Sequence, residues 1–279
     1  MLKRIICITT ALLMLMCTGC KSEQDMPTVV SVSQSSAFPI TINGTTFDAS
    51  PEKVVSLSPF ITDMIYAVGA QDKLAGVCDY CEGESADTVG SSISPDTDAI
   101  IQSGAQLLLT QTPLDSDDKN ALENAGITVM ELKSPVSLET LENLYASMIA
   151  VLCGSADFQS QAQSTFTSVH DAVANAGKSE KNVVCIISKH MNTAGSDTLC
   201  GDLISQLANN AVSEDGYGNV LDSQTAQSAD VIFADVSLEN TDISQLTGDT
   251  PVFYIDFSAL ENPNAENLCD LIAQMCEIL

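Results

Sequence analysis

The apolar residues of this chain follow two rhythms that alternate from residue 51 onward. Short apolar runs occur at 53–57 (KVVSL), 74–77 (LAGV), 106–110 (QLLLT), 128–132 (TVMEL), 182–188 (NVVCIIS), 230–234 (DVIFA) and 252–256 (VFYID). Their brevity and near-continuous apolar character predict strands buried on both faces. Between them lie stretches with one apolar face at helical spacing. The first opens at Ser58-Pro59, a hydroxyl for the N-cap and a proline where its missing N–H costs nothing. It carries Ile61, Met64, Ile65 and Val68 on one side and ends at Gly69. Further helices are expected over 96–103, 117–125, 138–152, 202–208 and 264–278. Strand, helix, strand in this order predicts parallel βαβ units. In such sheets ligands sit beyond the carboxyl ends of the strands, which places the Ser58-Pro59-Phe60 turn and the Cys78-Asp79-Tyr80 loop at a site.

The same patterning divides the chain. Residues 38–47 alternate around Asn43-Gly44, the strongest short hairpin signal. A first α/β lobe is expected over 38–154, led by that hairpin. The stretch 156–176 sets Ala162, Phe166, Val169 and Val173 on one helical face, so a helix is expected over 155–177, an ordinary surface helix or, by its mid-chain position, the connector between two lobes. A helix of that length spans about 30 Å, enough to cross a small domain. The second α/β lobe is expected over 178–279. Ahead of the lobes, Lys3 and Arg4 precede an apolar run over 5–16 and then Cys17-Thr18-Gly19-Cys20. That layout reads as a signal peptide over 1–19. Its end resembles a bacterial lipobox with Cys20 as the lipid-modified residue, which would hold the protein on the outer or periplasmic face of the cell membrane without spanning it. Residues 20–37 are polar, Ser/Gln-rich and without period, a flexible tether.

Charge narrows the partners. The 279 residues carry 37 acids against 10 lysines and arginines, a net charge of −27. Removal of the leader takes away Arg4, the only arginine, and leaves eight lysines. No stripe of positive charge remains to neutralise phosphates, so nucleic acid is excluded as a partner. An arginine-free cleft also lacks the bidentate clamp that carboxylate-rich ligands need. Much of the acid serves solubility.

The ordered run from Pro51 to Cys81, PEKVVSLSPFITDMIYAVGAQDKLAGVCDYC, resembles the N-terminal signature of ABC-transporter solute-binding proteins of the iron-complex (siderophore or haem) and cobalamin class. Thr62-Asp63 stands at a Thr-Glu position, and Asp79-Tyr80-Cys81 is intact. The resemblance implies an α/β fold of two Rossmann-like lobes joined by a single long α-helix, the class III periplasmic-binding-protein fold, with the ligand between the lobes. It also gives meaning to a twofold echo. Asp98 and Asp222 each precede, by seven residues, an alanine, a polar residue and two apolar ones: Ala105-Gln106-Leu107-Leu108 and Ala229-Asp230-Val231-Ile232. The family has a glutamate at each position, one per lobe, that docks onto arginines of the permease. Here both are aspartate, and the following prolines are alanine. Read without the resemblance, each is an acid favoured by the dipole of a helix start.

Residues just past the strands make the candidate ligand contacts: Phe60, Tyr80, Gln111, His190, Met191, Tyr217 and Phe257. Aromatic rings give flat area for a large planar ligand, and Gln111 would orient it. The absence of tryptophan removes a residue that cobalamin binders of the family often place in the cleft. His190 is an axial-ligand candidate for haem iron or corrinoid cobalt, or a plain exposed loop histidine; His170 falls on the connector as a solvent-side residue. Cys78-x-x-Cys81 has spacing for metal or redox chemistry, yet a zinc site needs four ligands and no second pair or histidine lies near. Ordinary or disulfide-bonded cysteines are the plainer reading. No nucleophile–base pair, phosphate-cradling loop or catalytic carboxylate pair stands out, so no enzyme, cofactor or resident metal is expected. The expectation is a monomeric, lipid-anchored, extracytoplasmic binding subunit of an ABC importer, serving a permease and its ATPase. It would carry a corrinoid or another bulky metal complex, with ferric siderophore or haem as the alternative. A surface scavenger or sensor without a permease, and last a CxxC redox protein, are the rivals from other classes.

Overall fold

The computed structural model describes residues 38–81 and 86–279; the signal peptide, Cys20 and tether expected over 1–37 lie outside them. The leading hairpin is present, with β1 (Ile40–Ile42) antiparallel to β2 (Thr45–Phe47). Its turn places Asn43 at φ 49° and Gly44 at φ 79°, the left-handed pair that a two-residue hairpin requires.

The first lobe is built on β3 (Val54–Ser56), β4 (Leu74–Val77), β5 (Leu107–Thr110) and β6 (Thr128–Glu131), all parallel, in the order β4-β3-β5-β6. Three helices interleave them: α1 (Pro59–Ala67), α2 (Thr97–Gln102) and α3 (Ser116–Asn124). Helix α4 (Leu138–Met148) follows, opened by a capping box between Ser137 and Thr140. It runs on through a wider-wound segment, Ile149–Cys153, to Gly154 in the left-handed conformation.

The expected single connecting helix over 155–177 is instead two: α5 (Phe158–Thr165) and α6 (Thr167–Ala176). The break has a local cause. Ser164 and Thr165 donate their hydroxyls to the Gln161 carbonyl at 2.8 and 3.0 Å, and Thr167 donates to the Gln163 carbonyl at 3.3 Å. Such back-bonding competes with the helical ladder and bends it. Phe166 sits at the break, fully buried, with its ring edge-on to Tyr145 at a centroid distance of 4.9 Å. Periodicity reported the common apolar face and was blind to the hydroxyls.

The second lobe holds β7 (Asn182–Ile186), β8 (Asn209–Asn210), β9 (Val231–Asp235) and β10 (Val252–Ile255), parallel, in the order β10-β9-β7-β8. Its helices are α7 (Leu199–Leu207), α8 (Ser223–Ser228), the single turn α9 (Ser244–Thr247) and the closing α10 (Ala265–Cys276). Taken lobe by lobe, both sheets have the strand order 2-1-3-4.

Strand alternation distributes the core. Val54, Leu107, Leu109, Val183, Cys185, Val231 and Phe233 point to one face of their sheets and join a single cluster with residues of α1, α4, α5, α6, α7 and α10. Val55 and Leu108 point the other way, into a private core of the first lobe. Val184, Ile186, Ile232 and Ala234 do the same in the second lobe. Each sheet is thus buried on both faces, and the two lobes share one apolar layer. The Asp202 carboxylate adds a polar tie across it, accepting the Leu138 N–H at the start of α4 (3.0 Å) and a Gln206 amide hydrogen (3.1 Å). His170 of α6 also pairs with Glu142 of α4.

Candidate functional site

In a 2-1-3-4 sheet the chain leaves the first and third strands in opposite directions, and the crevice lies at their carboxyl ends. In the first lobe this point falls between β3 and β5. Ser58, the N-cap of α1, donates its hydroxyl to Gln111 Oε1, while Gln111 Nε2 donates to Ser134 Oγ at 3.2 Å. Gln111 thereby ties together the loops after β3, β5 and β6. Behind it runs a string of buried hydroxyls: Thr62 donates to Ser56 Oγ (2.8 Å), and Ser56 donates to the Ser58 carbonyl (3.0 Å). Tyr80, in the loop after β4, is 72% exposed and free to meet a ligand. Phe60 is different. It lies on the inner side of α1, 3% exposed, inside the shared core. A residue at the second position of a helix that packs inward faces the sheet and not the crevice.

In the second lobe the corresponding ends of β7, β9 and β10 enclose a cavity of about 500 Å³. Tyr217 and Phe257 line it, as do Ser188, Lys189, Asp235, Ser237, Asp256, Ser258 and Glu261. Two of its walls are built alike. After β9, Asp235 accepts the Ser237 N–H at 2.9 Å; after β10, Asp256 accepts the Ser258 N–H at 2.9 Å. In each case one carboxylate oxygen holds the turn. The bonds from Ser258 keep Asp256 below the usual carboxylate range, so it is charged at neutral pH. Tyr217 accepts the Cys200 N–H through its phenol oxygen at 3.3 Å, and burial raises its phenol. Phe257 is 4% exposed, with its ring shared between the core and the cavity wall.

His190 and Met191 follow β7 but stand outside the lining of this cavity. Ser188 closes a turn there, its hydroxyl accepting the His190 N–H at 3.2 Å and its carbonyl the Met191 N–H at 3.0 Å. Met191 takes φ 60°, which directs its side chain back onto the private core of the second lobe. His190 is left exposed on the loop. No group of three or more His, Cys, Asp or Glu side chains is gathered for a metal ion among the described residues.

The acids Asp235, Asp256 and Glu261 escaped the sequence reading, which looked for aromatic rings past the strands. For Asp235 and Asp256 the signal was present as a repeated strand-Asp-x-Ser ending, Ala234-Asp235-Val236-Ser237 and Ile255-Asp256-Phe257-Ser258.

The echo acids are both exposed and both lie in the segment before the third strand of their lobe. Their local settings differ. Asp222 is the N-cap of α8, accepting N–H groups from Gln224 (2.8 Å) and Thr225 (3.0 Å) and the Thr225 hydroxyl (2.7 Å). In the first lobe Asp96 is the cap, accepting the Ala99 N–H at 2.9 Å, and Asp98 sits in the first turn of α2. A second cavity, of about 530 Å³, lies at the amino ends of β3 and β4. Its lysines are already engaged, Lys53 with the Ser103 carbonyl (2.8 Å) and Lys73 with Ser50 Oγ (2.6 Å) and the Pro51 carbonyl (2.9 Å).

No protein-family model matches the chain. A cobalamin-binding protein of Halobacterium salinarum is 22% identical over 262 residues, covering 85% of this chain and 70% of the relative. Among solved structures, the periplasmic haem-binding protein HutB of Vibrio cholerae superposes with a TM-score of 0.66 at 18% identity, covering 81% of this chain and 98% of that one. The periplasmic vitamin B12-binding protein BtuF of Vibrio cholerae gives 0.63 at 18% identity, covering 81% and 96%. With its paired 2-1-3-4 lobes and these likenesses, the chain has the class III periplasmic-binding-protein fold, the fold of the solute-binding proteins that its run from Pro51 to Cys81 resembles.

Proposed function

We propose that this protein is the binding subunit of an ABC importer, anchored through Cys20 on the extracytoplasmic side. It would capture a bulky metal complex, a corrinoid by preference, and deliver it to a permease. The observation that carries the reading is the second-lobe cavity at the carboxyl ends of β7, β9 and β10. Its aromatic members suit a broad ligand, and its volume lies in the range of small-molecule sites. Three carboxylates against one lysine disfavour ligands rich in carboxylates and favour neutral or cationic ones. From the first lobe, Tyr80, exposed in the loop after β4, and Gln111, just past the end of β5, would be the contribution to such a ligand. Haem or a ferric siderophore is the second reading, favoured by the haem-binding structure of the same fold, with Lys189 as the group to meet an acid.

Purified protein titrated with cobinamide, cobalamin, haem and ferric siderophores in a thermal-shift assay decides between them. Corrinoids are expected to raise the melting temperature, and a shift with an anionic siderophore alone overturns the corrinoid preference. Asp98 and Asp222 are proposed to meet the permease. Changing both to lysine is expected to abolish uptake and leave ligand affinity unchanged. Normal uptake by that variant would refute the docking assignment.

A further inference from the structure

We propose that Cys78 and Cys81 form a reversible disulfide, closing a four-residue ring around Asp79 and Tyr80. The two Sγ atoms face one another at 2.6 Å, within a turn closed by the Cys81 N–H on the Cys78 carbonyl at 3.0 Å. A turn of this kind holds its end Cα atoms within about 7 Å, and a disulfide spans about 4.4–6.8 Å between Cα atoms. The backbone is therefore already set for the bond. It is also pinned from outside, since Asp79 donates its N–H to the Gly90 carbonyl at 2.9 Å and Val77 exchanges hydrogen bonds with Asp87 and Val89. Gly90, at φ 85°, is held so close to the next turn that a Cβ would come within 2.4 Å of the Ser94 carbonyl oxygen, so this support has little room to move.

The two thiols are not equivalent. Cys78 has no exposed surface, whereas Cys81 is half-buried. Burial first, and the hydrogen bond with Cys81 second, push the Cys78 thiol up to about 12. Cys81 sits 3.3 Å from Thr62 Oγ1, whose own hydrogen goes to Ser56, so the Cys81 thiol donates there. Thiol–disulfide exchange accordingly starts at Cys81. The Cys81 thiolate attacks one sulfur of an oxidising disulfide, R–S–S–R, and R–S⁻ departs. Cys78 then gives up its proton, attacks the Cys81 sulfur and releases the second R–S⁻. The protein loses two hydrogens and two thiols become one disulfide, while the oxidant leaves as two R–SH. Cys185 and Cys200 also lie against one another, but both are fully buried and no oxidant reaches them.

Incubation of the full chain in glutathione/glutathione-disulfide buffers, followed by acid quench, alkylation of the denatured protein and peptide mass analysis, reads the bond directly and without any ligand. The expected result is loss of both alkylatable thiols from the peptide that carries Cys78 and Cys81, with no mass added, and full recovery after dithiothreitol. In the Cys78→Ser variant Cys81 should accumulate as a mixed disulfide with glutathione; in Cys81→Ser, Cys78 should stay unmodified. The proposal is overturned if the wild-type peptide keeps both thiols in the most oxidising buffer. It is equally overturned if Cys81 pairs with Cys153 or with another molecule. Neither result bears on the proposed ligand.

Discussion

Cys78, Cys185 and Tyr145 are held in their protonated forms by burial, and this governs how the fold responds to alkali. Tyr145 is pushed up to about 12 by burial and then by the charge of Asp63; the Cys185 thiol rises well above 9 through burial and its contact with Cys200. In the unfolded chain these thiols ionise near 9, so their contribution is complete below pH 9 and is lost as pH climbs from there through the folded values. The melting temperature is expected to fall steadily above pH 9 under reducing conditions, and a flat profile to pH 11 would contradict it. Acid acts through other groups. Asp222, Asp242 and Asp256 are held down by hydrogen bonds from Thr225, Ser244 and Ser258. Their support is present above the ordinary aspartate value of 3.8 and fades as pH drops below it. At this scale the sequence told the residue types and the structure told their partners. Phe60 and Tyr80 are both aromatic residues close behind a strand, yet one is core and the other exposed, because α1 turns its second residue inward.

At the scale of elements, the break that the Ser164, Thr165 and Thr167 hydroxyls make between α5 and α6 sets how the two halves pack. Each half packs on its own neighbours, α5 on α4 and α6 on α10, with Phe166 as the pin between them. Truncating a buried phenylalanine leaves a cavity and costs about 3–5 kcal/mol. Phe166→Ala is therefore expected to lower the unfolding free energy by about that amount in urea titration, and a loss of well under 1 kcal/mol would show that the ring is not a pin. The strands were the easiest elements to read. All seven apolar runs became strands within two residues, because a sheet buried on both faces leaves few alternatives to continuous apolar character. The missing strand was β8, two asparagines that extend the sheet edge beside β7 through backbone bonds, with Asn209 also donating its amide to the Glu180 carbonyl at 3.0 Å. Nothing in a pair of side chains that favour turns announces that.

For the whole molecule, the lobes meet through a shared apolar layer and a small number of polar ties. Asp202 is the one that crosses from α7 to the first turn of α4. It satisfies a backbone N–H that the helix itself cannot. Asp202→Ala is expected to raise hydrogen exchange at residues 138–141 and to broaden the distance between lobes in solution scattering, with both sheets unchanged in circular dichroism. Unchanged exchange at 138–141 would assign the tie no part in holding the lobes. The layer itself limits how far a ligand can close the cleft. Side chains from both sheets enter one cluster, so a large rotation would open apolar surface to water at about 25 cal/mol per Å². Small adjustments about a stiff layer follow, rather than wide hinge opening.

The run from Pro51 to Cys81, the order of strands and helices, the hairpin turn and the acidic balance were all determined by the sequence alone. They rest on local physics: hydrogen bonding of a cap, the pleat of a strand, the φ of Asn43-Gly44, the sum of charges. Which of the residues past the strands lie in the core, in a cavity wall or in solvent was decided by tertiary structure. Whether a residue past a strand meets ligand, core or solvent depends on the direction in which the chain leaves, and that is set by contacts distant in sequence. Met191 turned to the core and His190 to solvent by one left-handed residue. Asp235 and Asp256 became one acidic rim because β9 and β10 lie side by side, and Cys78 faces Cys81 because residues 87–90 return to pin their turn.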